Sequence, residues 1–284
     1  MPKHVLVTGA SSGIGLALSK LLVRDHGCHV HMGCRNLGKG RQCLERVAAE
    51  VAGAEERLEL AHLDVVDEAS IAACAAGLKA KGVELYALVN NAGVGLAQPG
   101  APSAAAGILA TNFYAVKKVT EAIVPLIEPN GRIVNVSSGA ASAWLKGQDE
   151  ATKTLFSNPD LGWDELDAAI QLAVAEDRLG WNKGYGLSKA GLSALTLIQA
   201  RELAPLTVTS LSPGFIDTPM TAGLGARLSP EQGCVSSLKC LFGDVTSGFY
   251  YGSDGLRSPL TMTRDPGMPE YQGEKDPQQA TYNR

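Results

Sequence analysis

The sequence predicts an α/β fold, a doubly wound parallel sheet in a single domain with a helical insertion. Three observations predict it. Short apolar runs alternate with longer helical patterns along most of the 284 residues. The early runs, such as HVLVTG, LYALVNN and RIVNVSS, are continuously apolar rather than alternating. Strands apolar on both faces and separated by helices belong to a parallel sheet covered on both sides. The third observation is a glycine-rich turn joining the first run to the first helical pattern.

Strands are expected over 4–8, 28–34, 57–63, 85–90, 131–137, 206–212 and 248–252. Helices are expected between them, over 13–25, 38–52, 67–80, 106–127, 184–204 and 229–241. Ligands of such sheets sit at the carboxyl ends of the strands. Two segments break the rhythm. Residues 139–184 part a strand from the helix that should follow it closely, and Trp163, Leu166, Ile170 and Val174 recur there at helical spacing, with Gly180 placed to end that helix. Residues 258–284 carry Pro259, Pro266, Pro269 and Pro277 and few apolar residues, so they read as an extended C-terminal tail after a domain spanning 1–257.

Composition narrows the class. Hydrophobic residues make up 45% and charged residues 19%, as in a compact globule, and the net charge of −4 gives no basic surplus for nucleic acid or an anionic membrane. No apolar stretch approaches the roughly 20 residues that cross a bilayer. A small-molecule partner is expected instead. The six cysteines form no Cys-x-x-Cys pair. His29 and His31 would share one face of a strand, but two-residue spacing alone reads as pocket or surface histidines, so no metal is expected. Reduced thiols and a start without a signal-peptide pattern lead to the expectation of a cytoplasmic protein.

The first strand runs into Thr8-Gly9-Ala10-Ser11-Ser12-Gly13-Ile14-Gly15. Glycines permit a tight turn and let the backbone approach a diphosphate, while the following helix offers free N–H groups and its positive dipole end. A dinucleotide site is therefore expected. NAD sites place an acidic residue about 20 positions further on to bond the ribose 2′-hydroxyl. Residues 28–38 contain no Asp or Glu, and Arg35 stands there, where a guanidinium can pair with a 2′-phosphate. The expected cofactor is NADP(H). Asp64 and Val65, ending the third strand, would reach the adenine, and Asn91, Ala92 and Gly93 would let the chain pass close to the ligand.

Tyr185 and Lys189 stand four apart at the start of a helix and share one face. A free phenol, with a pKa near ~10, transfers protons poorly at neutral pH, and a neighbouring ammonium should lower that value. Ser137 and Ser138 end the fifth strand at the ligand rim, and either hydroxyl could bond a substrate oxygen. Asn112 falls mid-helix, where an amide has low propensity unless it bonds something, and it could hold a water linking Lys189 to solvent.

With these residues in place the chain resembles the short-chain dehydrogenase/reductase family. TGASSGIG (8–15), NNAG (90–93), the Asn112 region, IVNVSS (133–138), YGLSK (185–189) and SPGFIDT (212–218) occur in the family's order. The resemblance implies a Rossmann fold, with Ser138, the second of the pair, as catalytic serine and Tyr185 as acid/base. It makes Lys189 the ribose-binding partner of Tyr185 and Asn112 the end of a proton relay. Pro213, Gly214 and Thr218 would hold the nicotinamide. Forty-seven positions separate Ser138 from Tyr185, an insertion that looks like the monomeric carbonyl reductases and related plant ketone reductases. That similarity implies a ketone, aldehyde or quinone substrate.

An apolar pocket for that substrate is expected from Trp144, Trp181, Phe215 and Met220 beside Ser138 and Tyr185. Family members commonly pair through the helices flanking the serine and tyrosine. The insertion's apolar face should cover that surface and leave the protein a monomer, unless it only forms a lid over the substrate. Two competing readings are an NADP(H)-binding redox-sensing regulator without turnover and a sugar-nucleotide-modifying relative. The intact set Asn112, Ser138, Tyr185 and Lys189 disfavours the first, and the short glycine gap and modest length disfavour the second.

Overall fold

The computed structural model describes residues 2–95, 104–180 and 182–273. Eight strands form one sheet in the order β3-β2-β1-β4-β5-β6-β7-β8. They are β1 His4–Thr8, β2 His29–Cys34, β3 Leu58–His62, β4 Leu85–Asn90, β5 Ile127–Val136, β6 Thr207–Leu211, β7 Tyr250–Tyr251 and β8 Arg257–Ser258. The first seven run parallel, and β8 turns back antiparallel on β7. Chain order reverses between β1 and β4, the switch point at which such sheets bind ligands.

Period-two side-chain alternation divides the core. Val5, Val7, Val30, Met32, Ala87, Val89 and Val134 face a layer formed by α1 (Gly13–His26), α2 (Leu37–Glu50) and α10 (Val235–Phe242). Leu6, Leu88, Ile133 and Val208 face the opposite way, onto α3 (Glu68–Ala80) and α5 (Ala115–Ile123). The edge strand β3 is the exception to double coverage, since only Leu58 is buried in it.

A third cluster joins the insertion to the body. The insertion forms three helices, α6 (Gly139–Lys146), α7 (Glu150–Phe156) and α8 (Trp163–Ala175), where one was expected. Helix α8 stops at Ala175, short of Gly180, and Asp177 takes the left-handed conformation that turns the chain. Leu166 and Ile170 from α8 pack with Phe113 and with Leu187, Leu195 and Ile198 of α9 (Tyr185–Glu202). Gly191 makes this approach possible, because a Cβ there would lie 2.9 Å from Ile170 Cδ1 and 3.2 Å from Phe113 Cδ2. Around the C-terminal turn, the side chain of Arg264, shielded from solvent, makes a two-pronged ion pair with Asp254 at 2.8 and 2.9 Å. The first part of the expected tail is thereby fastened to the domain, and Pro259 O accepts a 3.2 Å bond from Ser142.

Candidate active site

The site begins where β1 ends. Thr8 is buried beneath the turn, its Oγ1 accepting the N–H groups of Asn91 at 3.0 Å and Ala92 at 2.9 Å. Asn91 returns a bond from Nδ2 to Thr8 O at 2.8 Å. These bonds stitch β1 to β4 at the switch point. Gly9 and Gly13 adopt positive φ of 67° and 52°. Gly15 packs so closely that a Cβ would overlap Asn91 Nδ2 and lie 2.6 Å from Gly9 O. The turn is a cradle that side chains would fill, which suits a diphosphate.

A cleft of about 320 Å³ runs along the carboxyl rim. Gly9, Ser11, Ser12, Gly13, Ile14, Arg35, Asn36 and Lys39 line one end, with Asp64, Val65 and Val66 beside them. Asn91, Ala92, Gly93 and Val94 form the middle, and Tyr185, Lys189, Pro213, Thr218 and Met220 the far end. One continuous trough thus joins a basic end to a phenol and an ammonium. Thr8, Gly15 and Gly214 support it from behind rather than lining it, Gly214 being held at φ 94° with Ser253 3.1 Å from where its Cβ would stand. Lys39 and Asn36 were not among the expected contacts. Asn36 caps α2 by accepting from Lys39 N at 2.9 Å, and Lys39 follows Arg35 by four positions, the only hint in the sequence.

The serine pair separates by role. Ser137 is buried, bonding Lys189 O at 3.0 Å and Ser193 Oγ at 2.8 Å, so it ties β5 to α9. Ser138 is the N-cap of α6, its Oγ accepting from Ala140 N at 3.2 Å, and its side chain is near enough to Tyr185 to oppose the rise of the phenol's pKa, although Ser137 and not Ser138 lines the cleft. Both the capping role and the tyrosine contact fall to one hydroxyl.

Lys189 is buried, with Nζ donating to Val136 O at 2.8 Å. Burial pulls its pKa down to about 8. Tyr185 departs from expectation. Burial raises its pKa above the ordinary phenol value, and the Ser138 bond acts the other way. The ammonium stands 5.9 Å from the phenol ring's centroid and is turned to Val136 O, so desolvation wins.

Asn112 lies in a widened π-helical turn, Ala110–Tyr114, inserted between α4 (Ala105–Leu109) and α5. Such bulges are frequent at functional sites. Its side chain is held by protein groups: Oδ1 accepts from Val94 N at 2.8 Å, and Nδ2 donates to Val94 O at 2.9 Å and Ser188 Oγ at 3.1 Å. It holds the cleft floor against α9.

Of the four side chains expected in the substrate wall, Met220 lines the cleft and Trp144 and Phe215 do not. Trp144 is buried against Phe156, Gly180 and Gly186, with Nε1 donating to Arg178 O at 2.9 Å, because α6 turns that face towards the insertion. Phe215 is half-exposed and lies outside the cleft lining. Met220 is in the cleft, with Sδ 3.9 Å from the Tyr185 hydroxyl. Trp181 lies outside the described residues. Away from the rim, His29 and His31 stack on His4 at 5.0 and 5.3 Å, and His4 Nδ1 pairs with His31 Nε2 at 3.1 Å. Among the described residues no group of three or more His, Cys, Asp or Glu could hold a metal, and no helix is long and apolar enough to cross a membrane.

A doubly wound sheet with a glycine cradle at its switch point and a Ser-Tyr-Lys cluster on the same rim defines a dinucleotide-binding protein of the dehydrogenase type. Residues 3–149 match the short chain dehydrogenase family, and the chain belongs to that family. It is 32% identical over 247 residues to carbonyl reductase [NADPH] 1 of Pongo abelii, covering 81% of this chain and 87% of that protein. It is 28% identical over 304 residues to (−)-isopiperitenone reductase of Mentha piperita, covering 89% and 96% of the two chains. Among solved structures, salutaridine reductase from Papaver somniferum superposes with a TM-score of 0.77 at 26% identity, covering 88% of this chain and 99% of that one.

Proposed function

We propose that the protein is an NADPH-dependent reductase of ketones, aldehydes or quinones, with Tyr185 as proton donor. The observation that carries this reading is the single trough joining Arg35 and Lys39 to Tyr185 and Lys189. The similarity to a carbonyl reductase whose name specifies NADPH, and to a plant isopiperitenone reductase, supports it.

The turn at residues 9–15 would hold the diphosphate, Arg35 and Lys39 the 2′-phosphate, Asp64 and Val65 the adenosine, and Pro213, Gly214 and Thr218 the nicotinamide. When bound, NADPH supplies a hydride to the carbonyl carbon. Ser138 donates a hydrogen bond to the carbonyl oxygen, its acceptor side being engaged by Ala140 N. The field at the start of α6 favours negative charge there. Tyr185, held protonated at neutral pH by burial, delivers its proton to the same oxygen. Lys189, charged below about pH 8, stabilises the phenolate left behind.

Tyr185→Phe keeps the ring and removes the proton. We expect kcat to fall roughly 10²–10⁴-fold with NADPH affinity retained. A variant keeping more than half the wild-type single-turnover rate refutes the role.

We further propose that the domain spans 1–257 with residues 258–284 as an appendage, and that the protein is a monomer. The face of α5 and α9 through which relatives pair is covered here by α8. Trp163 stacks on Phe113 at 5.4 Å, and the Tyr114 hydroxyl donates to Asp167 Oδ1 at 2.6 Å while accepting from Gln171 at 2.7 Å.

A further inference from the structure

We propose that Ser212 is a positioning residue of this site, whose hydroxyl ties the helix headed by Ser138 to the loop that carries Pro213 and Thr218. The inference rests on the reading of the site given above.

Ser212 follows β6 directly, and its main chain is anchored on two sides. Its N–H donates to Tyr251 O at 2.8 Å, and its carbonyl accepts from Ser236 Oγ at 3.0 Å. From that fixed point Oγ accepts two backbone donors, Gly139 N at 3.0 Å and Gly214 N at 3.3 Å. A hydroxyl oxygen has two acceptor sites, so both are occupied. The two donors belong to different functional segments. Gly139 is the first residue of α6, adjacent to Ser138, and Gly214 follows Pro213 in the cleft-lining loop.

Neither donor is easily served otherwise. Gly139 N is one of the N–H groups that a helix start leaves without an internal partner. The Ser138 hydroxyl already takes the next, Ala140 N. Gly214 is confined by Ser253, 3.1 Å from its ideal Cβ, at a φ of 94°. Ser212 itself is only 9% exposed, and the buried Tyr250 side chain closes in beside Ser212 and Ser142. Removing the oxygen therefore strands two N–H groups, one beside the serine that meets the carbonyl oxygen and one in the nicotinamide loop. Each segment can then relax independently. Their spacing sets the distance between hydride donor and hydrogen-bond donor, and such misplacement lowers the chemical rate more than binding.

The test uses Ser212→Ala, Ser212→Cys and Ser212→Thr in the full-length protein. The thiol keeps the volume but is a weak acceptor, and threonine keeps the hydroxyl. Competent sites are counted by NADPH fluorescence titration, and single-turnover NADPH oxidation by a quinone reduced by the wild type is read per bound NADPH. Alanine and cysteine should lower that rate at least tenfold with KM for the quinone changed less than threefold. Threonine should recover most of it. Wild-type rates per bound NADPH in the cysteine variant overturn the inference, even if the alanine variant folds poorly. Equal losses in all three, threonine included, also overturn it by pointing to packing. Ser138→Ala serves as the control on the underlying reading: if it turns over like the wild type, the site assignment fails whatever Ser212 does.

Discussion

Replacing Gly15 by alanine sets two physical effects of opposite sign against each other. Gly15 lies in the first turn of α1, where alanine would ordinarily stabilise a helix by about 1 kcal/mol. Here the new methyl would overlap Asn91 Nδ2 and stand 2.6 Å from Gly9 O, a backbone atom that cannot swing aside. Forcing a methyl into such a contact costs roughly 1–3 kcal/mol. Displacing Asn91 also weakens its 2.8 Å bond to Thr8 O, worth about 1 kcal/mol. With the propensity gain subtracted, the net is a loss of about 1–3 kcal/mol, or a Tm lower by roughly 2–5 °C for a chain of this size. The displaced atoms line the cradle, so NADPH should bind at least tenfold more weakly. Gly77→Ala is the control. It is an exposed helical position in α3 with no atom within 4 Å of its ideal Cβ, and it should raise Tm slightly. Thermal unfolding and NADPH fluorescence titration read both variants. A Gly15→Ala protein with raised Tm, or with NADPH affinity within twofold of wild type, refutes the steric argument.

Arg35→Asp places a like charge at the proposed 2′-phosphate site, so NADPH should lose at least tenfold in affinity while NADH loses less; an unchanged preference in paired titrations would leave the phosphate to Lys39 without Arg35, or move it to Arg41. Lys189 titrates near 8 and is charged below that value, so kcat/KM for reduction should be level at lower pH and fall above about pH 8. A profile flat to pH 10 would remove the ammonium from the mechanism. Light scattering at micromolar protein should return the mass of one chain, and a stable dimer would show that α8 leaves the pairing surface free.

The sequence by itself determined the elements and their class, because strand and helix patterns are local periodicities and the glycine turn is a contiguous motif. Thr8–Gly15, Asn91–Gly93, Tyr185 and Lys189 were legible for the same reason: short spacing converts directly into shared position on a turn or helix face. Arg35 stood out through an absence, the lack of any carboxylate after the second strand. Tertiary structure decided what depends on residues far apart in the chain. It separated the serine pair, since only the packing of β5 against α9 shows that Ser137 is engaged by Ser193 while Ser138 caps α6. It turned Trp144 from pocket wall to insertion core, because the direction of α6 is set by the helices packed on it. It placed the Asn112 side chain on Val94 through a widened turn that has no periodic mark. It also set the direction of the Tyr185 shift, which burial raises and Ser138 opposes, with the Lys189 ammonium 5.9 Å from the ring centroid, and no spacing of residues encodes that burial.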